Sequence, residues 1–95
     1  MKLNTINLIK CGYREYQDIN NDIKYYISSY QKDINKIKIN IDVYRSIRGG
    51  LLYKIKYYNK DVEVYSLNKK KADIYDIQGL ASIISRNINN HFYMF

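Results

Sequence analysis

Residues 37–44 read Ile37-Lys38-Ile39-Asn40-Ile41-Asp42-Val43-Tyr44, an unbroken alternation of β-branched apolar side chains with polar or aromatic ones. Successive side chains of an extended chain point to opposite faces. The stretch therefore predicts a strand with one face in a core and the other towards water. The same period returns downstream. Gly49-Gly50 supplies a turn, and Leu51 to Tyr58 form a second strand, with Tyr53, Ile55 and Tyr57 alternating with Lys54, Lys56 and Tyr58. After a tight connection at Asn59-Lys60-Asp61, a third strand runs from Val62 to Leu67. Val62 and Val64 lie on one side of it, Glu63 and Tyr65 on the other.

Outside this block the apolar residues step by three or four. Tyr16, Ile19, Ile23, Tyr26 or Ile27, Tyr30, Ile34 and Ile37 predict a helix over 16–37, with Asp18, Asp22, Lys24, Gln31 and Lys32 on its opposite face. Gly12 separates it from a short element over 2–9, which reads as a strand or a helical turn. At the other end, Ile74, Ile77, Leu80 or Ala81, Ile84 and Ile88 share a helical face behind Asp73 as N-cap. Gly79 inside that helix costs about 1 kcal/mol. The expected fold is α+β in a single domain, 1–95: helix, three-stranded antiparallel meander, helix. Both helices pack on the apolar sheet face and the other face stays open.

Ile (16), Lys (12), Tyr (12) and Asn (11) dominate the 95 residues, a bias that a low-GC genome, such as that of a bacterial host or its phage, produces unaided. The net charge of +7 therefore matters less than its distribution. Residues 36–71 hold ten basic and three acidic side chains, and the segments on either side nearly balance. Alternation puts Lys36, Lys38, Asn40, Tyr44, Leu52, Lys54, Lys56, Tyr58, Glu63, Tyr65 and Leu67 on the open face, with Asp42 and Glu63 diluting the charge. Arg45 and Arg48 stand at the first turn, and Lys69, Lys70 and Lys71 at the exit of the last strand. Ammonium groups displace counterions from phosphates, and tyrosine rings stack on unpaired bases. The expected nucleic-acid contacts are accordingly Lys38, Tyr44, Arg45, Arg48, Lys54, Lys56, Tyr58, Tyr65, Lys69, Lys70 and Lys71. The bland alternative is a solvated face whose lysines discourage edge pairing.

The order helix, three strands, helix resembles the double-stranded-RNA-binding domain, in which a Lys-Lys-x-Ala-Lys motif opening the last helix grips phosphates. Lys69-Lys70-Lys71-Ala72-Asp73 matches that motif except at Asp73, and Ser46-Ile47-Arg48-Gly49-Gly50 stands in place of the family's Gly-Pro-x-His turn. Residues 51–84 resemble the arm-binding domain of phage integrases, three strands and a helix, which lays its sheet in the major groove. Both resemblances imply a nucleic-acid partner.

Nothing in the chain implies an enzyme. His91 and Cys11 are the only histidine and cysteine, too few soft ligands for a zinc site and without a third group to make a nucleophile pair. No glycine-rich phosphate loop is present, and no cofactor or metal is expected. The lone cysteine excludes an intrachain disulfide, and no apolar run reaches the length of a membrane span, so the expected location is cytoplasmic, in the producing organism or an infected host. The expected function is non-enzymatic binding of a nucleic acid or nucleoprotein through the basic, tyrosine-rich face. The alternative is a phage or mobile-element inhibitor of a host defence system, of the anti-CRISPR type, that uses exposed tyrosines to dock on a protein effector. Pairing of strand edges, or of the Tyr16–Ile37 stripe, between two chains gives a homodimer as a third reading.

Overall fold

The computed structural model describes residues 1–93, with side chains through Ile88. The elements are α1 (Thr5–Lys10), β1 (Arg14–Tyr16), β2 (Tyr26–Ile34), β3 (Ile37–Arg45), β4 (Leu51–Asn59), β5 (Val62–Lys69) and α2 (Ile74–Tyr93). The strands form one antiparallel meander in the order β1-β2-β3-β4-β5. The fold is thus α+β with two helices, as expected, but the sheet has five strands where three were expected.

The two added strands come from the stretch expected to be a helix over 16–37. Ile19, on its supposed core stripe, is 93% exposed, and Ile23 is exposed as well. Asn35 and Lys36 both adopt positive φ, 50° and 70°, which closes a two-residue hairpin whose twist matches that of the strands. That turn folds residues 26–34 back along β3 in the register Ile34↔Ile37, Lys32↔Ile39, Tyr30↔Ile41. Nine residues of strand then satisfy one edge of β3, which a helix there would have left unpaired. Lys60 and Asp61 make a second positive-φ turn between β4 and β5, and Gly49 and Gly50 (φ 90° and 75°) turn the chain between β3 and β4.

One sheet face carries the core. Ile37, Ile39, Ile41 and Val43 of β3 and Tyr53, Ile55 and Tyr57 of β4 are buried beneath Ile74, Ile77 and Ala81 of α2. Leu80, Ile84 and Ile88 pack against the same cluster, so the expected helical face is the one in use. The Tyr57 hydroxyl donates to the Ile77 carbonyl at 2.8 Å and pins the helix to the middle of the sheet. Asp73 caps α2 by accepting from the Tyr75 amide at 2.8 Å. α1, capped by Asn4, sends Leu8 into the same core. Lys32 points to this side too, its ammonium donating to the Cys11 carbonyl at 2.6 Å and lying over the Tyr13 ring. Both helices therefore cover one face, as expected, although the first is the short α1 and not residues 16–37.

β5 departs from simple alternation. Its register runs Asn59↔Val62, Tyr58↔Glu63, then Tyr57↔Tyr65, so Val64 is an extra residue in a bulge. Glu63 stays on the open side beside Tyr58. Beyond the bulge, Tyr65 and Leu67 lie on the helix side, contrary to their expected place on the open face: Tyr65 sits 6.0 Å from the Tyr57 ring and Leu67 packs against the core. Val62 is 63% exposed and not in the core. No helix among the described residues is long and apolar enough to cross a membrane.

Candidate nucleic-acid interface

The register between β3 and β4 is unbroken, Lys38↔Tyr58, Asn40↔Lys56, Asp42↔Lys54, Tyr44↔Leu52, and these eight side chains share the open face. β2 adds Ser29, Gln31 and Asp33 opposite Asp42, Asn40 and Lys38. β1 adds Tyr16 and Arg14 opposite Ser29 and Gln31. Lys38, Lys54, Lys56 and Tyr58 thus come together as expected.

The face is not uniformly basic. Residues 17–25 cross over one side of it. Asp18 receives the Asn20 amide on its side chain and gives its own amide to the Tyr26 hydroxyl (3.0 Å), while Asn21 donates to the Tyr44 hydroxyl at 2.8 Å. The Arg45 amide donates to the Tyr25 carbonyl at 2.9 Å, tying the end of this segment to β3. Tyr44 is therefore buried and presents no free ring. The Lys54 ammonium lies over that ring, 5.1 Å from its centre.

Asp42 and Asn40 form a buried polar floor. The Ser29 hydroxyl (2.6 Å) and the Asn40 amide (3.0 Å) both donate to Oδ1 of Asp42, and the Tyr16 hydroxyl bonds Oδ1 of Asn40. Burial raises the pKa of Tyr16, and the negative charge of Asp42 adds to the rise. Tyr58 is also raised, first by burial; nearby Lys56 opposes this and Glu63 and Asp42 reinforce it. Two polar hollows of about 240 and 270 Å³ open over this floor and share Asp18, Asp42 and Lys56. Asp61 stands at the first of them only.

The exposed cations gather elsewhere. The registers Tyr26↔Tyr44, Arg45↔Leu51 and Tyr53↔Lys69 put the start of β2, the end of β3, the start of β4 and the end of β5 at one end of the sheet. That end collects Lys24, Arg45, Arg48, Lys69, Lys70 and Lys71, all exposed. The only ion pair among the described residues joins the N-terminal ammonium to Asp73 at 2.8 Å, so none of these cations is neutralised by a partner. Lys69 faces the helix side opposite Tyr53, and Tyr65 lies on that side as well, so the eleven expected contacts divide between the open face, the basic end and the helix side. Lys24 is the cation at this end that the sequence does not point to, because the helical spacing over 16–37 sets it apart from the strands.

Cys11 is partly buried against the core, and His91 lies outside the residues whose side chains are described. Among the described residues no three His, Cys, Asp or Glu side chains group to hold a metal ion. No protein-family model matches the chain, and comparisons with curated proteins and with solved structures return no significant match.

Proposed function

We propose that the protein is a non-catalytic nucleic-acid-binding module that takes phosphates at the basic end of its sheet and on the adjoining lysines of the open face. The observation that supports this reading is the convergence of Lys24, Arg45, Arg48 and Lys69–Lys71 on one end, from three separate stretches of chain, without an acidic partner. Unpaired ammonium and guanidinium groups release condensed counterions when they meet phosphates, so affinity falls linearly with salt on logarithmic axes, by about 0.9 per phosphate on duplex DNA and about 0.7 on single strands. If about five phosphates are contacted, the duplex slope is about −4.5. Fluorescence anisotropy with single-stranded and duplex oligonucleotides at several salt concentrations reads it. The triple variant Lys69→Glu, Lys70→Glu, Lys71→Glu removes three contacts and flattens the slope by about 2.7. These side chains carry no core packing, so the variant keeps its fold. An affinity indifferent to salt, or untouched by the triple variant, rules the function out.

A second reading, an inhibitor that docks on a protein effector of host defence, is favoured by one feature. β5 is an edge strand with exposed Val62, Val64 and Tyr65, and it presents unpaired backbone groups beside apolar side chains. Recovery of one stoichiometric protein from a host lysate, resistant to nuclease, selects this reading; recovery abolished by nuclease selects the first.

A further inference from the structure

The centre of the open face holds a charged group whose obvious counter-ion is turned away. Asp42 is 4% exposed, and Lys54 is directly opposite it across the β3–β4 ladder. The Lys54 ammonium nevertheless lies over the Tyr44 ring and makes no ion pair with the carboxylate. Oδ1 of Asp42 accepts from Ser29 and Asn40, and no donor among the described residues reaches Oδ2. Oδ2 is not among the buried, unpartnered atoms, so this oxygen is open to the hollow and free to accept from a ligand. Asn40 is spent on holding the carboxylate, its amide on Asp42 and its oxygen on the Tyr16 hydroxyl, so both act as positioning residues. The hollow above has about 240 Å³ of space, room for one aromatic bicycle, with Tyr58 in its wall and Lys38 and Lys56 at its rim.

We propose that this hollow is a guanine-accepting pocket, in which Oδ2 of Asp42 takes the ring N1–H and exocyclic amine of the base; this rests on the nucleic-acid reading above. Guanine is the one common base that presents two adjacent N–H donors in its plane. Adenine and cytosine place a ring-nitrogen lone pair beside their amine, which the carboxylate repels, and uracil and thymine flank a single N–H with two carbonyls. The other edge of guanine carries O6 and N7, acceptors that a lysine ammonium meets in the commonest base-specific contact, and Lys38 and Lys56 are placed for it. Tyr58 supplies a ring for stacking. Asp18 and Asp61 line the same hollow and repel a phosphate, so the base enters and the phosphate stays outside in solvent.

Titration with GMP, AMP, CMP and UMP, followed by NMR, tests the pocket without any oligonucleotide. GMP is expected to bind about tenfold or more tightly than the other three, in line with the discrimination of a two-bond base contact, and to shift the amides of Asn40, Asp42 and Tyr58. Asp42→Asn, nearly isosteric, is expected to erase the preference. Lys56→Gln, at the half-exposed rim and outside the core, weakens GMP several-fold and keeps the reading decisive if Asp42→Asn folds poorly. Equal binding of the four nucleotides, a guanine preference that survives both variants, or arginine amide binding more tightly than GMP overturns the proposal; the last assigns the hollow to a protein side chain. Salt-dependent oligonucleotide binding without guanine preference overturns the pocket alone, whereas loss of all oligonucleotide binding overturns the proposed function, and the mononucleotide titration still reads the pocket.

Discussion

Replacing Ile41 by alanine is expected to lower stability by about 3–4 kcal/mol, the range for deleting a fully buried branched side chain from a site that cannot collapse. Ile41 is fully buried, pairs with the equally buried Ile55 on β4 and with Tyr30 on β2, and lies in the cluster covered by α2. Strands on both sides hold its backbone in place, so the cavity stays open. Against a total of about 5–10 kcal/mol for a domain of this size, the loss lowers the thermal midpoint by about 15–25 °C. Ile19→Ala is the matched control. On a helical stripe over 16–37 the two substitutions cost about the same; with Ile19 exposed on the segment that crosses the sheet, it changes stability by no more than about 0.5 kcal/mol. Urea denaturation of both variants separates the two architectures, and comparable losses would restore the helix.

The contrast between Ile41 and Ile19 shows where the fold was legible. β3, β4 and α2 each carry one uninterrupted apolar period, and a period reports burial directly when every second or every third-to-fourth residue faces the same core. β2 breaks that rule. Its inward side holds Ser28 and Lys32 beside Tyr30 and Ile34, because Lys32 finds the Cys11 carbonyl and the Tyr13 ring at the end of its stem. Its turn, Asn35-Lys36, lacks the glycine that marks such hairpins, although asparagine tolerates the positive φ required. What remains is a set of tyrosines and isoleucines that happen to be three or four apart. The sign of the true structure was the polar loop over residues 17–25, in which the Asp18 and Asn21 side chains accept from the backbone amides of Asn20 and Ile23.

The candidate site was legible for the same reason and to the same extent. Lys38, Lys54, Lys56 and Tyr58 share a face because nothing interrupts the pairing of β3 with β4. One extra residue, Val64, sends Tyr65 to the other side, and a bulge leaves no periodic trace in an eight-residue strand. The convergence of Arg45, Arg48 and Lys69–Lys71 follows from antiparallel topology, since every second strand ends where its neighbours begin. The crossing of the open face by Asp18 depends on the path of the loop, which leaves no periodic trace in the sequence. Charge counted along the chain places the basic excess in residues 36–71. Charge counted in space places it at one end of the sheet, with a carboxylate in the middle of the face.

The buried tyrosines give the protein a steep alkaline limit. Tyr13 and Tyr57 are buried, and burial raises both phenols well above their ordinary value of 10.0; for Tyr13 the neighbouring Tyr57 and Cys11 add to the rise, and for Tyr57 the neighbouring Tyr65 does. The Tyr13 hydroxyl has no hydrogen-bond partner among the described residues, so no hydrogen bond stabilises its anion. Tyr30 and Tyr53 are raised as well, by burial first. In each case the folded state holds its proton more tightly than the unfolded chain. The stabilisation is fully present below the ordinary phenol value and is lost as pH rises from there through the folded value. Each such tyrosine removes about 1.4 kcal/mol per pH unit in that window, so Tyr13 and Tyr57 together remove about 2.7. A domain of about 5–10 kcal/mol therefore unfolds within about two to four pH units above the phenol range, and sooner as Tyr30 and Tyr53 join. The last part of the tyrosinate absorbance, that of the buried rings, is expected to appear together with the loss of circular dichroism in one cooperative step. Tyr57→Phe lowers stability near neutral pH by about 1 kcal/mol, through loss of the bond to the Ile77 carbonyl, and makes the alkaline fall shallower by about 1.4 kcal/mol per pH unit. Complete tyrosinate formation with the secondary structure intact would mean that the buried rings reach water without unfolding, and that the core beneath α2 is looser than its packing implies.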